Sequence, residues 1–107
     1  MIELTDILNN LHDAILEDIK FNWENGGAIM SLKLHEPDAD KSSRIKIFCQ
    51  DVVLLNINRR FDWGKSIHVN EAIKLNRHTI KIEMQSGDNI QIQAAHFDFK
   101  IETPAIA

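Results

Sequence analysis

The strongest constraint on this chain is a two-residue alternation of apolar and polar side chains, interrupted by short turns rich in Asn and Gly. Ala28, Met30, Leu32 and Leu34 share one parity, with Ile29, Ser31, Lys33 and His35 on the other. Ile80, Ile82 and Met84 alternate with Lys81, Glu83 and Gln85, and Ile90, Ile92 and Ala94 resume the pattern. Successive side chains of a strand point to opposite faces, so each run reads as a strand with one buried face. Glu-Asn-Gly-Gly at 24–27 and Ser-Gly-Asp-Asn at 86–89 separate such runs. Asn and Gly tolerate the positive φ that tight turns need, which predicts two hairpins.

The remaining segments fit around these hairpins. Leu4, Ile7, Leu8 and Leu11 recur at helical spacing, which predicts one short helix over about 2–11, with Thr5 or Asp6 near its start and Asn9–Asn10 at its end. From Ile15 the period becomes two: Ile15, Ile19, Phe21 and Trp23 alternate with polar neighbours. The polar stretch 36–43 (EPDADKSS) reads as a loop. Ile45, Ile47 and Cys49 begin a further strand, and 52–57 is nearly all apolar, as in a strand covered on both faces. Gln50–Asp51 fits either a tight turn or a bend. Phe97, Phe99 and Ile101 fall on odd positions after the even Ile90 and Ile92, which predicts an extra residue near Ala95–His96. The expected fold is α+β: a single domain over 1–107, with a mainly antiparallel curved β-sheet or small sandwich of about six or seven strands and one short N-terminal helix.

With 107 residues, 44% of them apolar and 26% charged, the chain can bury a core without disulfides or metal. The formal net charge of −4 argues against nucleic acid as a partner, since the basic residues Arg59, Arg60 and Lys65 and the pair Lys41 and Arg44 have acidic neighbours. The single cysteine, Cys49, excludes an internal disulfide and fits a reducing compartment. No signal-peptide pattern opens the sequence and no apolar run is long enough to cross a membrane, so the expectation is a cytoplasmic protein with no membrane partner.

One loop departs from the plain pattern. Residues 58–66 read NRRFDWGKS. Phe61 and Trp63, with Arg59 and Arg60 at the rim and Ser66 beyond, form a candidate protein-binding surface, because aromatics and arginine dominate interface hot spots. The structural alternative is that Trp63 folds over the end of the core while Gly64 permits the turn and Ser66 bonds a loop amide.

Signals for chemistry are sparse. His12–Asp13 can orient an imidazole for proton transfer or for ligand binding, yet such a pair also serves as a local turn clamp. The five histidines show no H-E-x-x-H spacing, so no metal or other cofactor is implied. Ser86–Gly87–Asp88 lacks the length and the lysine of a phosphate-cradling loop. No catalytic residue is assigned.

Three stretches together, LHDAILEDIKFNW, NRRFDWGKSIHVNE and IKIEMQSGDNIQIQA, resemble a family of small bacterial proteins without an assigned activity. Its members carry LHDA, a strand ending in Trp, RRFPWG-x-S, and IEMQSGD. This chain has Asp62 where that family has Pro, and Ile67–His68 where small polar residues are usual. The resemblance implies a single α+β domain. In size and layout the chain is also distantly similar to small toxin-immunity proteins, which implies a non-enzymatic domain that binds a protein partner. Self-association is the related expectation, and a ligand-binding module or enzyme with a pocket near His12, Asp13 and Trp63 is the alternative. A structural domain without a discrete site is the third.

Overall fold

The computed structural model describes residues 2–34, 43–60, 64 and 67–102. Helix α1 (Leu4–Asn9) precedes six strands: β1 (Ile15–Asn22), β2 (Gly27–Lys33), β3 (Arg44–Ile57), β4 (Val69–Asn76), β5 (Thr79–Met84) and β6 (Asn89–Glu102). They form one antiparallel sheet in the order β1-β2-β3-β6-β5-β4, open rather than closed into a barrel. The α+β expectation therefore holds with six strands.

Both hairpins form where the turn chemistry placed them. Gly26 takes a φ of 69° between β1 and β2, and Gly87 a φ of 89° between β5 and β6. A third hairpin joins β4 to β5 at Arg77–His78, where Asn76 Oδ1 accepts the His78 amide at 2.9 Å.

The helix is shorter than the expected 2–11, and its cap is Glu3 rather than Thr5 or Asp6, with the Asp6 carboxylate accepting the Glu3 amide at 2.8 Å. Asn10 ends it, as expected, and donates from Nδ2 to the Asp6 carbonyl at 2.7 Å. Ile7, Leu8 and Leu11 are buried and Leu4 packs on them, so the apolar stripe faces the core. The helix lies against β4 and β6.

Two long strands organise the sheet. The first part of β3 (44–49) pairs with β2 on one side and with Phe97 to Glu102 of β6 on the other. Its last part (52–57) pairs with 90–94 of β6, which in turn pairs with β5. The sheet thus consists of two four-stranded halves that share the β3–β6 ribbon. Gln50–Asp51 is a bend within one strand, with Asp51 at φ 53°. Opposite it, the consecutive carbonyls of Ala94 and Ala95 both meet His78 Nδ1, at 3.2 Å each, so β6 changes face here too. The two slips stay in step, because Gln50 opposes His96 and Val52 opposes Ala94. The extra residue expected in β6 is thus matched in β3, and the shift in pairing falls on β3 between Val52 and Leu54. This explains why Ile45, Ile47, Cys49 and Phe97 face the core on odd positions, while Ile90, Ile92 and Ala94 do so on even ones.

Two local expectations are corrected. A register shift between Leu16 and Asp18 puts Leu16, not Ile15, against the core. The apolar stretch 52–57 is not covered on both faces: Val53 is 76% exposed, and Leu54 and Ile57 are also exposed. The two edge strands meet at one corner, where Ile15 bridges His68 and Leu16 N–H donates to the Ile67 carbonyl at 2.8 Å.

Candidate functional site

The stretches singled out in the sequence converge at that corner. Asp13 has a φ of 67°, a costly conformation for a non-glycine residue, and is held there from several sides. Its amide donates to the Val69 carbonyl at 2.8 Å, and the Val69 amide donates to Ala14 at 2.8 Å. Gln85 Nε2 donates to Asp13 Oδ1 and reaches the Val69 carbonyl at 3.3 Å. The Gln85 amide donates to the His68 carbonyl at 2.8 Å.

His12 and Asp13 are brought together. His12 Nδ1 lies 2.8 Å from the Asn70 carbonyl. A carbonyl only accepts, so Nδ1 carries the proton, and Nε2 faces Asp13 Oδ2 at 3.6 Å. Both side chains are substantially exposed. A hollow of about 140 Å3 beside His12 is lined by Asn70, Glu71 and Leu8, among others. Among the described residues the partners of His12 and Asp13 are backbone groups, each other, Gln85 and the imidazole of His68, whose Nδ1 lies 3.5 Å from the Asp13 carbonyl, with no Ser, Thr or Cys nucleophile. Chemically the arrangement is a clamp that ties the helix-to-strand junction onto β4.

A second clamp, at Asp88, was missed in the sequence. Asp88 is 1% exposed, although a turn aspartate ordinarily faces water. Its Oδ1 accepts the Arg60 amide, and its Oδ2 accepts the Ser86 hydroxyl at 2.7 Å. Asn58 N–H donates to the Asn89 carbonyl at 2.9 Å. The QSGD turn therefore anchors the root of the 59–66 loop. No sequence signal separates this carboxylate from an exposed turn residue.

Arg59 and Arg60 stand exposed at the root of that loop. The candidates Phe61, Trp63 and Ser66 lie outside the described residues. Arg59 also borders a groove of about 350 Å3 with an apolar floor of Leu16, Ile19, Ile57 and Ile90 and an acidic side at Glu17 and Asp18.

Among the described residues one tryptophan, Trp23, projects into solvent, although the alternation placed it on a half-buried face. It is 88% exposed. Phe21, 38% exposed, meets it edge-on at 5.8 Å between ring centroids. Trp23 lies past the end of β1, in the turn, where no strand among the described residues opposes it. Sequence reasoning missed it because a Trp on the correct parity at a strand end looks like a core residue.

Cys49 is buried, and burial pushes its thiol up to about 11. It is a core residue, not a reactive one. Among the described residues no group of three or more His, Cys, Asp or Glu is placed to hold a metal ion. No helix among them is long and apolar enough to cross a membrane. Comparison with known protein families, curated proteins and solved structures finds no match.

Proposed function

We propose that this chain is a non-enzymatic, cytoplasmic protein-binding domain that acts by covering a partner's surface, as small immunity proteins do. The observation that carries this reading is Trp23, standing 88% exposed on the edge of Phe21 at the tip of the first hairpin. A Trp buries more apolar area than almost any other side chain, and leaving it in water forgoes that gain. Such residues, braced by a second ring, anchor interfaces. Val53, at the bulge in β3, adds a second exposed apolar side chain. The Gly26 carbonyl accepts the Val52 amide at 2.8 Å, so the hairpin tip is docked on β3 next to that residue.

The clamp at His12 and Asp13 supports the same reading, since its hydrogen bonds are spent on joining strands. The test is retention of proteins from the native host on the immobilised chain. A species held by the wild type and by Lys81→Ala, and lost with Trp23→Ser, supports the proposal. An identical set held by Trp23→Ser overturns it.

A further inference from the structure

Beyond Ala95, no strand among the described residues pairs with one edge of β6. β5 pairs with β6 only from Gln93 back to Asn89, and His78 meets the carbonyls of Ala94 and Ala95. From His96 to Glu102 the only strand beside β6 among the described residues is β3. The Phe99 amide confirms which groups face outward: it donates to the carboxylate of its own neighbour, Asp98, at 2.8 Å, not to a strand. In an antiparallel ladder the N–H and C=O of one residue point the same way and alternate along the chain. Phe97, Phe99 and Ile101 therefore present their backbone groups to the open edge.

We propose that this edge pairs with the same edge of a second copy of the chain, antiparallel, with Phe99 opposite the partner's Phe99. A twofold contact requires a self-complementary strand, and this one is. On the outer face the side chains read His96, Asp98, Lys100, Glu102. About Phe99, Asp98 meets the partner's Lys100, and His96 meets the partner's Glu102. On the inner face Phe97 meets the partner's Ile101. Ile101 is 38% exposed and Phe97 and Phe99 are half-buried, so apolar surface remains to be covered.

The charges also select the register. The outward-facing residues permit shifts only in steps that keep odd positions opposite odd. One step away in one direction sets Asp98 against the partner's Asp98. One step in the other sets Lys100 against the partner's Lys100, and Asp98 against the partner's Glu102. Like charges directly opposite are destabilising and opposite charges stabilising, so the register centred on Phe99 is favoured. On pairing, the Phe99 amide exchanges the Asp98 carboxylate for the carbonyl of the partner's Phe99, and Asp98 turns to the partner's Lys100. The present role of Asp98 is the edge protection expected of an exposed strand. This contact does not involve Trp23, so either proposal can fail without the other.

The experiment is sedimentation velocity on the full chain from about 5 to 500 µM, a range that captures dissociation constants of a small interface. The wild type is expected to show a concentration-dependent monomer–dimer equilibrium. Asp98→Lys and Lys100→Asp are each expected to weaken it at least tenfold, because each sets like charges opposite one another. Mixed in equal amounts, they are expected to form a heterodimer, since a chain with Lys at both positions meets one with Asp at both. Thermal melts of each variant confirm folding, and the milder pair Asp98→Asn and Lys100→Gln weakens association by a smaller factor. A wild type that stays monomeric throughout, single variants that dimerise as well as wild type, or a mixture no better than its components overturns the proposal.

Discussion

The first and last hairpin turns are built from similar residues and do opposite things. In the turn at 22–26 the asparagines serve only their own loop: Asn22 Oδ1 accepts the Asn25 amide at 3.2 Å, and Asn25 Oδ1 accepts the Gly27 amide at 2.8 Å. Gly26 meets β3 through its carbonyl, while the Trp23 side of the turn stays in solvent. In the turn at 85–88, Ser86 and Asp88 are each 1% exposed, and Asp88 reaches across to the backbone of Arg60. One turn is a presented surface and the other an internal joint. Turn chemistry encodes the local reversal of the chain; what the polar side chain bonds beyond the turn decides which role it has.

Substitutions can break this contrast. The largest effect is expected at the joint. Asp88→Ala leaves the Arg60 amide and the Ser86 hydroxyl without their acceptor in a buried site, a loss of about 3 kcal/mol in urea unfolding. At the presented turn, Gly26→Ala should cost about 1–2 kcal/mol, because φ is 69° there and a side chain resists the left-handed region. The added methyl would lie 3.8 Å from the Asp51 Cα, an ordinary contact, so the loss is strain and not a clash.

A gradual effect follows from Cys49, which pairs with Ala28 just behind the first turn. Burial raises its thiol from an ordinary 9.0 to about 11. The unfolded chain therefore releases that proton first, and stability falls as pH rises from 9 towards 11. Cys49→Ala should remove that slope from denaturation midpoints measured across this range. The smallest effect on stability is at the tip: Trp23→Ser should change the unfolding free energy by less than about 0.5 kcal/mol, since the ring has little to lose by leaving. A loss near that of Asp88→Ala would show that the two turns are not different in kind.

Much of the fold was legible because burial imposes period two on strands and because Asn and Gly mark reversals. The helix stripe at Leu4, Ile7, Leu8 and Leu11 was equally plain. The parity slip at Phe97 pointed to an irregularity in β6, but its match in β3 at Asp51 could not be read, since the sequence does not say which strands face each other. The shift after Leu16 escaped for a simpler reason: Ile15 and Leu16 are both apolar, and either could face inward. For the site, the sequence singled out His12, Asp13 and the stretch with Arg59, Arg60, Phe61, Trp63 and Ser66, and it read QSGD as a turn. It gave no sign that this turn and Asp13 would meet, because hydrogen bonds such as Gln85 to Asp13 join positions set by the whole topology. Trp23 was misplaced because parity says which face a residue is on and not whether anything covers that face.

The shared ribbon of β3 and β6 carries a kinetic consequence. Neither half of the sheet owns all of its strands, so neither has a route to its native pairing alone. Arg44 must find Glu102, and Ile57 must find Ile90, before the first and last hairpins are joined into one sheet. Such distant partners are slow to meet, because chain freedom is lost before the contacts repay it. The domain should therefore fold slowly for its length and in a single concerted event.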